Sequence, residues 1–439
     1  MKRSLTMIIT SIFISCSTGV ERYYDLKEIR PEMVGFNGNS LKKIDDLILR
    51  SIANKEVSGT TAIVIKDGGI VYHKAFGLSD IQDSRTMKKN SIMAIASMSK
   101  LMTTVGALIL YDRGEFDMNT RLDEILPEFK DPKVFISYDK DLGTFSLKGS
   151  SRPILMKHLF THTSGIVYPI FQPDSLGRQG YIAAGVQDAW PDISITLEEN
   201  IKRLAALPLN NEPGEKWHYG LNMDVLGRVI EVLDGRPFAR FMKEELFHPL
   251  ELKDTGFSLP EEKWERVAKI YDPRDEQISE FMCCPEYTDD EIERIGRKRF
   301  PIRSYKQNTN IIAMGGADIF STAYDYARFL QMLVNKGSLN GKRILGRRTV
   351  AMINRPLEHL FMPEDTNIAM GLGVGVVKDE NSSYEPHSSG SYWWGGYFFT
   401  SFWVDPEEGL IGVIMNQVNP TTSKLVDRFH QLVYSALGE

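Results

Sequence analysis

Ser97-Met98-Ser99-Lys100 sets a hydroxyl and an amine three residues apart, in a stretch that reads as the first turn of a helix. At that spacing both side chains leave the same helix face. A serine hydroxyl is a poor nucleophile near neutral pH. A lysine that shares or takes its proton is one way of activating it, so the pair points to nucleophilic catalysis. The pattern alone is weak, because Ser40-Leu41-Lys42-Lys43 matches it too. Ser40 has a plainer explanation. From Asn39 the pattern turns helical, with Leu41, Ile44, Leu47, Ile48 and Ile52 on one face, and Asn39 or Ser40 is its predicted N-cap.

Two further stretches hold residues that fit such a serine. In Pro213-Gly214-Glu215-Lys216-Trp217-His218-Tyr219-Gly220-Leu221-Asn222 a turn leads to Tyr219, with a helix expected to follow through Val225 to Leu233. A tyrosine whose pKa is pulled below ~10 by a neighbouring ammonium acts as a general base, and Lys100 is a candidate for that charge. The alternative for Tyr219 is packing beside a turn. Ser391-Tyr392-Trp393-Trp394-Gly395-Gly396-Tyr397 opens an expected strand from Tyr397 to Val404. Two glycines there allow close approach to the backbone. A backbone N–H at that point, with that of Ser97, would bind a developing oxyanion. The alternative is a glycine bulge flanked by core aromatics. His158 and His162 have the i, i+4 spacing of zinc ligands, but no third ligand or catalytic glutamate accompanies them, so no metal is expected.

The elements that must position these residues follow from periodicity. Thr60 to Ile65 and Ile70 to Phe76 are β-type runs around Lys66-Asp67-Gly68-Gly69, a hairpin signal. A helix is expected from Ser97 to Arg113 with Gly114 as its stop, and others at Tyr324 to Lys336 and Gly346 to Asn354. Residues 116–304 read as mostly helical and loop-rich. Ile166 to Ile193 and Asp272 to Ile302 read as surface or cleft-lining loops. The chain ends in strands, Tyr397 to Val404 and Leu410 to Met415, and an amphipathic helix over Thr422 to Leu437. Strands at both ends around a helical middle predict an α+β fold. The N- and C-terminal strands would pair in one antiparallel sheet flanked by helices, with a mostly helical inserted subdomain.

The bulk numbers agree with a globular protein. Of 439 residues, 42% are hydrophobic and 25% charged, and the net charge of −6 leaves no electrostatic footprint for nucleic acid. Lys2-Arg3, an apolar run from Leu5 to Ile14 and Ser15-Cys16 resemble a bacterial lipoprotein signal over residues 1–16, with Cys16 as the lipidated residue. Phe13 stands where such signals usually carry Leu. An ordinary secretory signal is the alternative, and either reading exports the mature chain to the periplasm or beyond. Residues 17–35 read as a tether and 36–438 as one catalytic domain. Cys283-Cys284 read as buried or idle thiols, with a vicinal disulfide as the alternative.

Taken in order, five motifs carry a family resemblance. They are Ser97 to Lys100, Leu155 to Ile166 with its His162-Thr163-Ser164-Gly165, the Pro213 to Gly227 stretch, Gly315 to Thr322, and Trp394-Gly395-Gly396 through Asp405-Pro406. Together they resemble the β-lactamase-related serine hydrolases, the group of class C β-lactamases, D,D-peptidases and family VIII carboxylesterases, over about Val34 to Leu437. The resemblance implies a serine β-lactamase or penicillin-binding-like fold and no cofactor. It implies Ser97 as the acylated nucleophile, Lys100 as its proton partner and Tyr219 as the tyrosine of the second box. It implies an oxyanion hole from the N–H groups of Ser97 and Tyr397, and substrate contacts from Trp394, Gly395, Gly396 and Asn222.

The departures narrow the expected activity. Leu221 stands where the second box usually has Asn, which comes one place late as Asn222. The third box starts with Trp394 rather than Lys or His, removing the cation that meets a substrate carboxylate; this version resembles the family VIII esterases. His387-Ser388-Ser389-Gly390 lies at the wrong spacing for a His-type box and reads as loop. The expectation is therefore a carboxylesterase acting on small or medium esters. A D,D-peptidase or weak β-lactamase, and a non-catalytic cell-wall-binding or sensor domain, are the alternatives.

Overall fold

The computed structural model describes residues 26–139, 144–169, 180–188, 195–271, 312–361, 367–378, 386–419 and 421–438. The predicted signal with Cys16, Cys283-Cys284 and most of the loops after Tyr168 and Tyr271 lie outside the described residues. Its centre is one large sheet that joins the two ends of the chain. Strand Leu410–Met415 pairs antiparallel with Gly59–Lys66, which pairs in turn with Gly69–Asp80 across the expected hairpin. On the other side the order continues through Thr400–Asp405, Tyr392–Gly396, Gly375–Val377, Ile368–Met370 and Leu357–Phe361. The α+β expectation holds.

Both faces of the central strands are covered, so they are buried throughout rather than alternately. Alternation still decides which layer each side chain joins. Ala62 and Val64 pack with Leu41, Ile44 and Ile48 of helix Gly38–Ala53 and with Phe429 and Val433 of helix Leu425–Tyr434. Ile63 and Ile65 face the opposite layer with Leu101 and Val105 of helix Ser99–Asp112. That helix is buried along nearly its whole length, as a central helix apolar on all sides must be. It stops where expected, with Gly114 at a φ of 80° just past its cap residue Arg113.

Four local expectations are corrected. Asn37, not Asn39 or Ser40, caps the first helix, its side chain accepting the N–H groups of Asn39 and Ser40. The expected strand Tyr397 to Val404 is the second half of a hairpin. Tyr392–Gly396 is a strand of its own, and the chain reverses through Tyr397 to Phe399, where Phe399 takes a left-handed φ of 62° and donates its N–H to Gly396 O (2.9 Å). Within the described part of residues 116–304, Lys133–Asp139 and Thr144–Gly149 form a hairpin where no strands were expected, anchored by Val134 against Leu209. Ser97 itself precedes its helix, in a 3-10 turn, Ala96–Met98.

Candidate active site

The serine turn is pinned from several sides. Ile95 N–H donates to Ile319 O (3.0 Å), Ile319 N–H to Ser99 Oγ (3.2 Å) and Tyr326 Oη to Met98 O (2.8 Å). Ala96 holds a φ of 47°, a left-handed conformation that costs free energy for a residue with a Cβ. Within the run Ser91 to Lys100 only Ser97 is not buried. The strained turn thus presents one hydroxyl on an otherwise closed segment.

Three polar atoms converge there. Lys100 Nζ donates to Ser97 Oγ at 3.1 Å and to Gly316 O at 2.7 Å. Tyr219 Oη donates to Ser97 Oγ at 2.7 Å, and Trp394 Nε1–H to Tyr219 Oη at 3.4 Å. Lys100 is 1% exposed, with Nζ 4.6 Å from the ring centre of Tyr219 and 5.1 Å from that of Tyr168. A serine oxygen touching an amine and a phenol can lose its proton to that pair and recover it, which is what acyl transfer requires.

The hairpin supplies the other wall. A Cβ on Gly396 would stand 2.4 Å from Ile95 O, so only glycine lets this strand end press against the serine turn. Thr400 Oγ1 donates to Ile95 O (3.3 Å) and ties the second strand to the same carbonyl. Tyr397, next in sequence to Gly396, packs against the cluster that holds Ala96 of the serine turn. Gly220 is equally constrained, because its Cβ would meet Ile166 O at 2.0 Å. Tyr168 N–H donates to Tyr219 O (3.1 Å), locking the two loops together.

Two expected substrate contacts sit differently. Asn222 is fully buried at the start of helix Asn222–Asp234. Its Oδ1 accepts from Ser164 Oγ, and its Nδ2 lies 3.0 Å from His162 Nδ1. The side chain is spent inside the fold, because position 222 turns inward on the first helical turn. Trp394 is 7% exposed; its ring packs on Tyr219 and its N–H is used there, so it braces the tyrosine more than it lines a cleft.

The histidines are structural neighbours. His158 Nδ1 accepts Leu155 N–H (3.1 Å), and burial pushes its pKa down to about 4. His162 packs 5.0 Å from the Tyr219 ring, and burial followed by the Lys100 charge holds it well below the usual histidine value. Sequence reasoning assigned no role to Tyr168, Asp224 or Gly316. The only available signals were a lone acid in Met223-Asp224-Val225-Leu226 and the paired glycines 315 and 316.

Comparisons with known proteins find esterase and acyltransferase relatives. Esterase EstB of Burkholderia gladioli is 28% identical over 371 residues, covering 84% of this chain and 88% of the esterase. Monacolin J acid methylbutanoyltransferase of Aspergillus terreus is 24% identical over 398 residues, covering 84% and 89%. The solved structure of EstCE1, a hydrolase with promiscuous acyltransferase activity, superposes with a TM-score of 0.74 at 23% identity. It covers 90% of this chain and 99% of that one, a likeness of fold. The Beta-lactamase family profile matches residues 44–435, nearly the whole described chain, and this chain belongs to the Beta-lactamase family.

Proposed function

We propose that the chain is a serine hydrolase of the carboxylesterase type that works through an acyl-enzyme on Ser97. The carrying observation is one oxygen, Ser97 Oγ, held at hydrogen-bond distance from both Lys100 Nζ and Tyr219 Oη. Ser97 Oγ attacks the ester carbonyl, and its proton passes to the Tyr219–Lys100 pair, which enters the step as a Tyr219 phenolate beside the Lys100 ammonium. The N–H groups of Ser97 and Tyr397 receive the oxyanion. As the C–O bond to the alcohol breaks, the proton goes to the leaving alkoxide. Water then attacks the acyl-enzyme, gives its proton to the same pair and releases the acid. Esters are favoured over β-lactams or D-alanyl peptides because Trp394 occupies the place of the cation that would meet a substrate carboxylate.

Ser97→Ala is expected to abolish hydrolysis of p-nitrophenyl butyrate. Full activity in that variant would end the reading, and nitrocefin turnover exceeding ester turnover would replace it with a penicillin-reactive one. A second reading, transfer of the acyl group to an alcohol instead of water, draws support from the methylbutanoyltransferase relative. Butyl ester formation in the presence of butanol measures it. We also propose export with a lipid anchor on Cys16, supported by the basic, apolar and cysteine pattern of residues 2–16. Metabolic labelling with a palmitate analogue that persists in Cys16→Ser would exclude the anchor.

A further inference from the structure

A carboxylate lies behind the site and has no part in the chemistry above. Asp224, on the first turn of helix Asn222–Asp234, is 1% exposed. Its Oδ1 accepts Gly316 N–H at 2.9 Å, and the carbonyl of the same Gly316 accepts from Lys100 Nζ at 2.7 Å. Its Oδ2 has no hydrogen-bond partner among the described residues. A Cβ on residue 316 would stand 2.4 Å from Tyr168 Oη and 2.9 Å from Asp224 Oδ2. Only glycine fits between carboxylate and ammonium.

Lys100 Nζ contacts Gly316 O and lies over the rings of Tyr219 and Tyr168, and it has almost no access to water. A buried ammonium without a compensating charge is strongly unfavourable. Building on the Ser97 esterase reading, we infer that Asp224 is a positioning residue: an ionised carboxylate that balances Lys100 and, through Gly316, aims it at Ser97. Neutralising Asp224 then releases the amine from its place and slows acylation.

The surroundings give this a pH signature. Burial pushes the Asp224 carboxyl up to about 6, Gly316 N–H and the Lys100 charge pull it down, and Asp188 raises it further. Tyr168 shares the space and feels Asp224, Tyr219, Asp188 and Asp318. Asp224 is ionised above this value and protonated below it. The active arrangement is present at neutral pH and is lost as pH falls through about 6.

The test is the pH profile of kcat and KM for p-nitrophenyl butyrate from pH 5 to 9, on wild type and Asp224→Asn. The asparagine keeps an oxygen for Gly316 N–H and removes the charge. The wild type should show an acid limb near pH 6. The variant should lose roughly 100-fold in kcat at pH 8, with KM little changed and that limb gone. A wild-type rate flat from pH 5 to 8, or a variant with the wild-type profile, overturns the inference. If the asparagine variant does not fold, Asp224→Glu keeps the charge at a new distance. It should retain partial activity with a displaced limb, and an undisplaced limb overturns the inference. A fluorophosphonate probe separates the two levels: failure to label wild-type Ser97 refutes the esterase reading, whereas labelling with an unchanged Asp224→Asn profile refutes only the role of Asp224.

Discussion

The hairpin Tyr392–Gly396 and Thr400–Asp405 carries a tyrosine cluster on each side, and the two are built from similar residues to opposite ends. On the serine side Trp394 braces Tyr219, and Lys100 Nζ lies 4.6 Å from the Tyr219 ring centre. On the other side Trp403 lies 3.9 Å from the His430 ring, and Tyr434 Oη donates to the Asp405 carboxylate at 2.8 Å. Burial and that carboxylate both push the Tyr434 pKa upward, fixing it as a donor. Asp405 also accepts the N–H groups of Ser388, Glu407 and Glu408, so the cluster ties turn, strand and last helix together. A half-buried tyrosine beside a cation can exchange protons, whereas one facing an anion is a strut. The sign of the partner charge, more than residue type, separates a site from a scaffold here.

Substitutions on the two sides sharpen that contrast. Tyr219→Phe removes the hydroxyl on Ser97 and should lower kcat by about 10³-fold, read with p-nitrophenyl butyrate, while the melting temperature hardly moves. Next in size is an acid effect confined to the scaffold side. Burial holds His430 at about 3 and lowers His387, so both are neutral in the fold. Their folded pKa values lie below the unfolded value, the unfolded chain binds more protons, and stability falls as pH drops below about 6.5. The loss attributable to His430 is about 1.4 kcal/mol per pH unit, and urea unfolding at pH 6, 5 and 4 should show a shallower slope for His430→Gln.

Smaller effects test the braces. Trp394→Phe keeps an aromatic ring, though a smaller one, and deletes the N–H on Tyr219, and should reduce kcat about ten-fold without changing its pH dependence. Equal activity would assign Trp394 to packing alone. Tyr434→Phe should cost about 1–2 kcal/mol of stability in urea unfolding and leave kcat within about two-fold. A large loss of activity there would break the division between site and scaffold.

The residues most legible in the sequence are those tied by local spacing. Ser97 and Lys100 lie on adjacent turns of one segment, and any helix start brings them together. Tyr219 needed motif order, because nothing local connects it to Ser97. Asn222 and Trp394 were placed at the right points of the chain, but which way each side chain turns depends on His162, Ser164 and Tyr219 as packed neighbours. Asp224 reaches Lys100 only through Gly316, so no spacing announces it. The reversal at Phe399 was hidden because Tyr397-Phe398-Phe399 has strand composition, and the left-handed residue is an aromatic where glycine would have been the signal.

The central sheet also fixes when the molecule can become competent. The serine turn is bound through Ile95 O to Thr400, 305 residues further along the chain. Beside it, Gly59–Lys66 pairs early with Gly69–Asp80 on one edge, but its other edge waits for Leu410–Met415. During synthesis the nucleophile therefore leaves the ribosome long before its far wall exists. Chain growth itself acts as a timer, and the reactive serine stays unassembled until almost the whole polypeptide has been made.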